Sequence, residues 1–293
     1  MTIKHLVLSG GGPIMIQLLG AIQHLESNKF IDLKNIESIY GTSAGAIVGI
    51  LICLKYDWET INDYIIKRPW QDVFKIKVDK IFESYSKKGI FDLKTIEKCF
   101  KPLFDAKDIP MDITLEDFYK YSNTELHFFS FEINDFKIED ISYLTHPKLS
   151  LLTAIHMTCS LPILVTPVCV DDNKFYIDGG IVCNYPLKNC IDSGKNIDEI
   201  LGFKNQYDND TKSHINSEST LLDFIMFFLF KVIYSLNTDS LQPHIKHEFL
   251  CKTDKMNIQV LRTSLSSIDI RKELFNNGLQ DAKNFLAKLK NSV

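Results

Sequence analysis

Ser38-Ile39-Tyr40-Gly41-Thr42-Ser43-Ala44-Gly45-Ala46-Ile47-Val48 is the stretch on which the reading of this chain turns. A short apolar run meets a glycine, a serine follows two residues later, a second glycine two beyond it, and a strongly apolar helix sets out from Ala44. Gly41-Thr42-Ser43-Ala44-Gly45 fits the nucleophile-elbow pattern, a strand-to-helix turn that thrusts the serine hydroxyl outward. The turn is so tight that the residues two before and two after the serine crowd each other, and glycines relieve the clash. Ser43 at the start of the helix also lies near the positive end of the helix dipole, where developing negative charge is favoured.

Upstream, Lys4 to Ser9 is a brief apolar run ending in Ser9-Gly10-Gly11-Gly12-Pro13, after which Ile14 to Leu25 has helical periodicity. Two strand-turn-helix units within the first 55 residues imply a parallel sheet with helices on its faces. The glycine loop admits three readings. A dinucleotide fingerprint needs a glycine where Met15 stands, and a phosphate loop of the Walker type needs Gly-Lys-Ser/Thr, which is absent. An oxyanion hole needs only two or three convergent N–H donors, which the Gly10, Gly11, Gly12 and Ile14 segment offers, most directly through Gly11, Gly12 and Ile14, while Pro13 stiffens the helix start. That reading agrees with Ser43.

Downstream, Asp57 to about Tyr121 reads as helical and polar, with ten Lys/Arg against five Asp/Glu between Lys67 and Lys101. Strands are expected at Glu125 to Ile133, Phe136 to Ile141, Lys174 to Ile177 and Glu199 to Phe203, with helices at Leu149 to Met157 and Pro186 to Asp192. Gln206 to Ser219 reads as a mobile polar loop. It is followed by an apolar helix from Leu221 to Leu236, a strand at Asn257 to Arg262 and an amphipathic closing helix from Arg271 to Lys290. Tyr176-Ile177-Asp178-Gly179-Gly180 is the third constellation: a carboxylate at a strand end beside two glycines can be approached closely, as a catalytic base must be.

The 293 residues are 45% hydrophobic with a net charge of -4, as expected of one large globular domain over residues 1–293 and not of a nucleic-acid binder. Seven cysteines, odd in number and without a Cys-x-x-Cys pair, read as reduced thiols, and no secretory signal opens the chain, so a cytoplasmic setting is expected. As a helix, Leu221 to Leu236 reaches only about 24 Å against the roughly 30 Å of a bilayer core. A core helix is one reading of it. The other is an aromatic face (Phe224, Phe227, Phe228, Phe230) that borders the site and meets acyl chains in peripheral contact with a membrane. The lysine-rich stretch could likewise face anionic lipid.

Taken together, Gly10-Gly11-Gly12, Gly41-Thr42-Ser43-Ala44-Gly45 and Asp178-Gly179-Gly180 resemble the patatin-like phospholipases. Ser160-Leu161-Pro162, Pro167, Asn184-Tyr185-Pro186 and Asn277-Gly278 with Ala282 extend the resemblance over nearly the whole chain. It implies a three-layer α/β/α fold with a central, mostly parallel sheet, residues 1–205 carrying the motifs and 206–293 the loop, apolar helix, strand and closing helix. It implies a Ser43–Asp178 dyad without a triad histidine, Gly41, Gly45, Gly179 and Gly180 as supports, and hydrolysis of lipid esters, phospholipid foremost, through an acyl-enzyme on Ser43. No metal or cofactor is needed. His214, His244 and His247 follow Asp178 in the order a triad would demand but have no supporting motif. The family's Arg or Lys and following Gly are replaced here by Ile14 and Met15, which removes a cation near the oxyanion loop. Phospholipase A type is the leading expectation. A lipase or lysophospholipase of another head-group preference and a silent lipid-binding module are the alternatives.

Overall fold

The computed structural model describes residues 2–76, 78–171, 173–207, 214–237 and 243–291. Its ten strands are β1 (His5–Leu8), β2 (Ser38–Thr42), β3 (Gly89–Phe91), β4 (Glu125–Glu132), β5 (Lys137–Ile141), β6 (Ile163–Val165), β7 (Val168–Val170), β8 (Lys174–Asp178), β9 (Ile200–Tyr207) and β10 (His247–Thr253). The helices are α1 (Ile14–Ser27), α2 (Ala44–Cys53), α3 (Trp58–Asn62, continued by a π turn, Asp63–Lys67), α4 (Trp70–Val73), α5 (Val78–Lys87) and α6 (Leu93–Asp105). They continue as α7 (Leu115–Ser122), α8 (Leu151–Thr158), α9 (Leu187–Asp192), α10 (Leu221–Leu236), α11 (Ile258–Ser266) and α12 (Ile268–Asn291).

The main sheet runs β10-β9-β1-β2-β4-β8-β7, parallel from β10 through β4 and antiparallel beyond, with β5 on the far edge of β4. Side chains alternate across it, as the pleat requires. Leu6, Leu8 and Ile39 join one large core with α1, α2, α6, α8 and α12. Val7, Tyr40 and Phe129 face the other way onto Leu187 and Cys190 of α9, and Phe131 and Ile177 face Ile233 of α10. Helices therefore cover both faces, the expected three-layer α/β/α arrangement.

One register decides where the site forms. β2 and β8 occupy the same edge of β4, because β5 takes the other edge over Phe128 to Glu132. β2 runs parallel and ends with Thr42 opposite Phe129, whereas β8 runs antiparallel and ends with Asp178 opposite Ser130. The two strands thus meet head to head at adjacent residues of β4. The residue that follows Thr42 is Ser43.

The final third departs from expectation in more than one place. Asn257 to Arg262, expected as a strand, lies at the start of α11, where the Asn257 side chain accepts from the Val260 N–H at 2.9 Å as a helix N-cap. The strand of this region is β10, paired along β9 with Phe249 and Cys251 buried and Leu250 turned outward. The closing helix α12 crosses α1 through two glycines: a Cβ on Gly278 would come within 1.9 Å of the Gln17 carbonyl oxygen, and one on Gly20 within 2.2 Å of that of Phe275. Part of the polar loop expected at Gln206 to Ser219 is strand, since β9 extends to Tyr207, and residues 208–213 lie outside the described residues. Among the described residues no helix is long and apolar enough to cross a membrane.

Candidate active site

Ser43 stands at φ 51° and ψ −119°, a conformation an L-residue adopts only when its surroundings impose it. They do so tightly. Its N–H donates to Thr158 Oγ1 at 2.9 Å, and the Thr158 hydroxyl is itself anchored on the Phe129 carbonyl at 2.6 Å. A Cβ on Gly41 would come within 2.8 Å of the Gly45 carbonyl carbon, and one on Gly45 within 2.3 Å of the Leu8 carbonyl oxygen. The crowding across the serine is therefore real, and the second glycine also lets α2 start against the end of β1.

Ser43 Oγ donates to Asp178 Oδ2 at 2.7 Å. The other carboxylate oxygen, Oδ1, accepts the Gly180 N–H at 2.7 Å, so Asp178 is held from both sides. Its own N–H is tied to the Ser160 carbonyl, and the Ser130 hydroxyl of β4 donates to Ile177 O at 2.8 Å and Met157 O at 2.9 Å, locking β8 and α8 onto β4. Asp178 is 5% exposed, and burial pushes its carboxyl up to about 6 despite the opposing effect of the Ser43 and Gly180 bonds. Such a group is ionised at neutral pH yet more basic than an ordinary carboxylate. The Cys159 thiol lies beside the pair, and burial, with Asp178 next to it, holds that thiol well above its usual range.

None of the eight histidines hydrogen-bonds Ser43 or Asp178. Of the three that follow Asp178, His214 lines a cavity beside α10, His244 is exposed, and His247 lies on β10 against Phe30.

The glycine loop closes over the serine. A Cβ on Gly10 would come within 3.2 Å of Ser43 Cβ and within 2.6 Å of Asn184 Oδ1. The Gly10 N–H donates to the Asn184 carbonyl at 3.1 Å, and its carbonyl accepts from Asn205 Nδ2 at 2.6 Å and Asn184 Nδ2 at 3.3 Å. The Ile14 N–H is turned back onto the Gly11 carbonyl at 3.2 Å. That leaves Gly11 and Gly12, whose N–H groups have no hydrogen-bond partner among the described residues. Both hold positive φ, 148° and 54°, a conformation glycine adopts without the strain a side chain would bring. Thr158 and Asn205 are contributors that sequence reasoning missed. Each meets a backbone group far along the chain that the sheet brings near.

Fold and site together define a class: an α/β sheet with a serine on a strand-to-helix elbow, bonded to a carboxylate and faced by a glycine loop. The sequence model of the patatin-like phospholipases matches residues 6–191, and the chain belongs to that family. A probable lipid hydrolase of Invertebrate iridescent virus 6 is 28% identical over 186 residues, 63% of this chain but only 62% of that protein. An uncharacterized protein of Acanthamoeba polyphaga mimivirus is 24% identical over 299 residues, 99% of this chain and 95% of its own. Among solved structures, VipD from Legionella pneumophila shares the fold with a TM-score of 0.60 at 17% identity, over 98% of this chain and 67% of VipD.

Proposed function

We propose that the chain is a lipid acyl hydrolase of phospholipase A type in which Ser43 is the nucleophile and Asp178 the general base. The observation that carries this reading is the 2.7 Å bond from Ser43 Oγ to Asp178 on a strained elbow beneath the glycine loop. Asp178 takes the hydroxyl proton as Oγ attacks the ester carbonyl. Negative charge gathers on the carbonyl oxygen, where the Gly11 and Gly12 N–H groups receive it. As the tetrahedral intermediate collapses, the alcohol leaves with the proton from Asp178 and the acyl group stays on Ser43. Water, deprotonated by Asp178, then releases the fatty acid and restores the serine.

Lipid as the substrate is supported by the family, by the viral relative named as a probable lipid hydrolase, and by α10. On that helix Leu221, Phe224 and Phe228 are 74%, 54% and 63% exposed at helical spacing, with Lys231 on the same stripe. Met226 and Phe230 point inward, lining with Phe227 a cavity of about 240 Å³. An outward apolar stripe ending in a lysine suits shallow burial in a lipid interface. The test is hydrolysis of a panel of phospholipids, lysophospholipids, neutral glycerides and short esters beside Ser43→Ala, with a fluorophosphonate to label the nucleophile. Fatty-acid release from intact phospholipid and a probe adduct on Ser43, both abolished in Ser43→Ala, are expected. An adduct on a different serine, or turnover by Ser43→Ala, would refute the assignment.

A further inference from the structure

The last turn of α10 is bound to both halves of the candidate site by one side chain. Asn237, the residue that caps α10, accepts the Asn184 N–H on Oδ1 at 2.8 Å. Its Nδ2 donates to the carbonyls of Gly180 at 2.9 Å, Ile181 at 3.1 Å and Ile233 at 2.9 Å. Gly180 is the residue whose N–H holds Asp178 Oδ1, and Asn184 is the residue whose carbonyl holds the Gly10 N–H over Ser43. A single amide therefore reaches the carboxylate through one residue and the glycine loop through another. Helix capping alone requires only the contact to Ile233.

We propose that Asn237 is a positioning residue for the Ser43–Asp178 pair, holding the Gly180 turn against the carboxylate and the Asn184 loop against Gly10. The inference rests on the hydrolase reading above. Its consequence has a sign. The Gly180 N–H stabilises the ionised form of Asp178, so loosening that turn makes the carboxylate harder to ionise and moves the acid limb of the rate profile to higher pH. The groups acting on Asp178 among the described residues are the Ser43 hydroxyl, the Gly180 N–H and the neutral Cys159 thiol, none of which gains or loses charge near that limb.

The experiment compares wild type, Asn237→Ala, Asn237→Asp and, as a control on the exposed face of α10, Ser235→Ala, with a soluble short-chain ester from pH 4.5 to 9. Melting temperatures confirm folding at the assay temperature. Asn237→Ala should lower kcat about tenfold, the scale of one strong hydrogen bond, with KM little changed and the acid limb displaced upward. Asn237→Asp keeps the acceptor for Asn184 but opposes a carboxylate to the Gly180 and Ile181 carbonyls, so its limb should move further. If the alanine variant does not fold, the aspartate variant and Asn237→Ser, which retain a polar cap, carry the same measurement. Activity reduced only in proportion to the folded fraction, with the limb unmoved, would overturn the proposal and leave Asn237 a plain helix cap. Wild-type rates in folded variants would overturn it as well. A wild type that neither hydrolyses ester nor takes the fluorophosphonate on Ser43 would instead defeat the hydrolase reading itself.

Discussion

At neutral pH Asp178 carries its charge against burial, and two measurable effects follow from that one residue. Because its carboxyl titrates at about 6, ester hydrolysis should fall roughly tenfold per pH unit once the pH drops below that value. A profile that stayed flat to pH 4.5 would exclude Asp178 as the base. The second effect is on stability. A carboxyl raised from 3.8 to about 6 binds its proton more tightly in the folded state, so the ionised form costs roughly 3 kcal/mol at neutral pH, relieved as pH falls through 6 toward 4. Asp178→Asn should therefore abolish turnover while raising the melting temperature at pH 7.5, and the gain should shrink toward pH 4, as read by calorimetry at both pH values. Ser43 and Asp178 were both legible in the sequence because each sits in a glycine-bearing turn, and glycine is demanded where backbones nearly touch. Thr158, which fixes the elbow, and Asn205, which fixes Gly10, were not, since nothing local distinguishes a threonine or asparagine that will meet a backbone group far along the chain.

Among the elements, α10 is the one whose sequence leaves two readings open, core helix or lipid contact, and its buried and exposed faces allow each to be tested separately. Phe230 is 6% exposed and Phe228 63%, only two residues apart. Phe230→Ser should empty a buried site, cost about 3 to 5 kcal/mol and depress hydrolysis of vesicle phospholipid and soluble ester together. Phe228→Ser should leave the melting temperature within a degree or two, because surface substitutions usually fall within about 0.5 kcal/mol. It should weaken hydrolysis of vesicle phospholipid several-fold and spare the soluble ester, because a soluble substrate needs no surface to dock. Equal losses on both substrates in Phe228→Ser would remove α10 from the interface. The neighbouring element departs from its expected strand for a physical reason. Ile258 and Val260 alternate with polar residues as a strand would, but the Asn257 cap starts a helix, and capping prevails over a two-residue alternation. β10 is not legible in the sequence because, at the end of the sheet, its His247-Glu248-Phe249-Leu250-Cys251-Lys252-Thr253 carries more polar than apolar side chains.

At the scale of the whole molecule, the stretch that defines the family, residues 6–191, is not where the fold closes. β1 is paired on one side by β2 but on the other by β9, which begins at Ile200, and β9 is covered in turn by β10. α1 lies against α12 so closely that a methyl group at Gly278 would enter the Gln17 carbonyl. Arg271 of α12, 1% exposed, gives its guanidinium to the carbonyls of Ile66, Arg68, Ser264 and Leu265, fastening the π turn to the C-terminal helices. Met256 rests against Gly12, Asn205 holds the glycine loop at Gly10 and Asn237 holds the turn at Gly180. A chain ending at residue 195 would expose the β1 edge and the apolar face of α1 together, with nothing left to cover either. We expect the full chain to unfold in one cooperative transition, its calorimetric and van't Hoff enthalpies agreeing, and the truncated chain to lack the near-ultraviolet circular dichroism of fixed aromatic packing. Gly278→Val should lower the single transition as a whole, by about 1 to 3 kcal/mol if α1 and α12 can separate slightly and by more if they cannot. Two resolved transitions, or a truncated chain that folds and takes a fluorophosphonate on Ser43, would show that the motifs form a unit of their own and that β9 to α12 are an attachment to it.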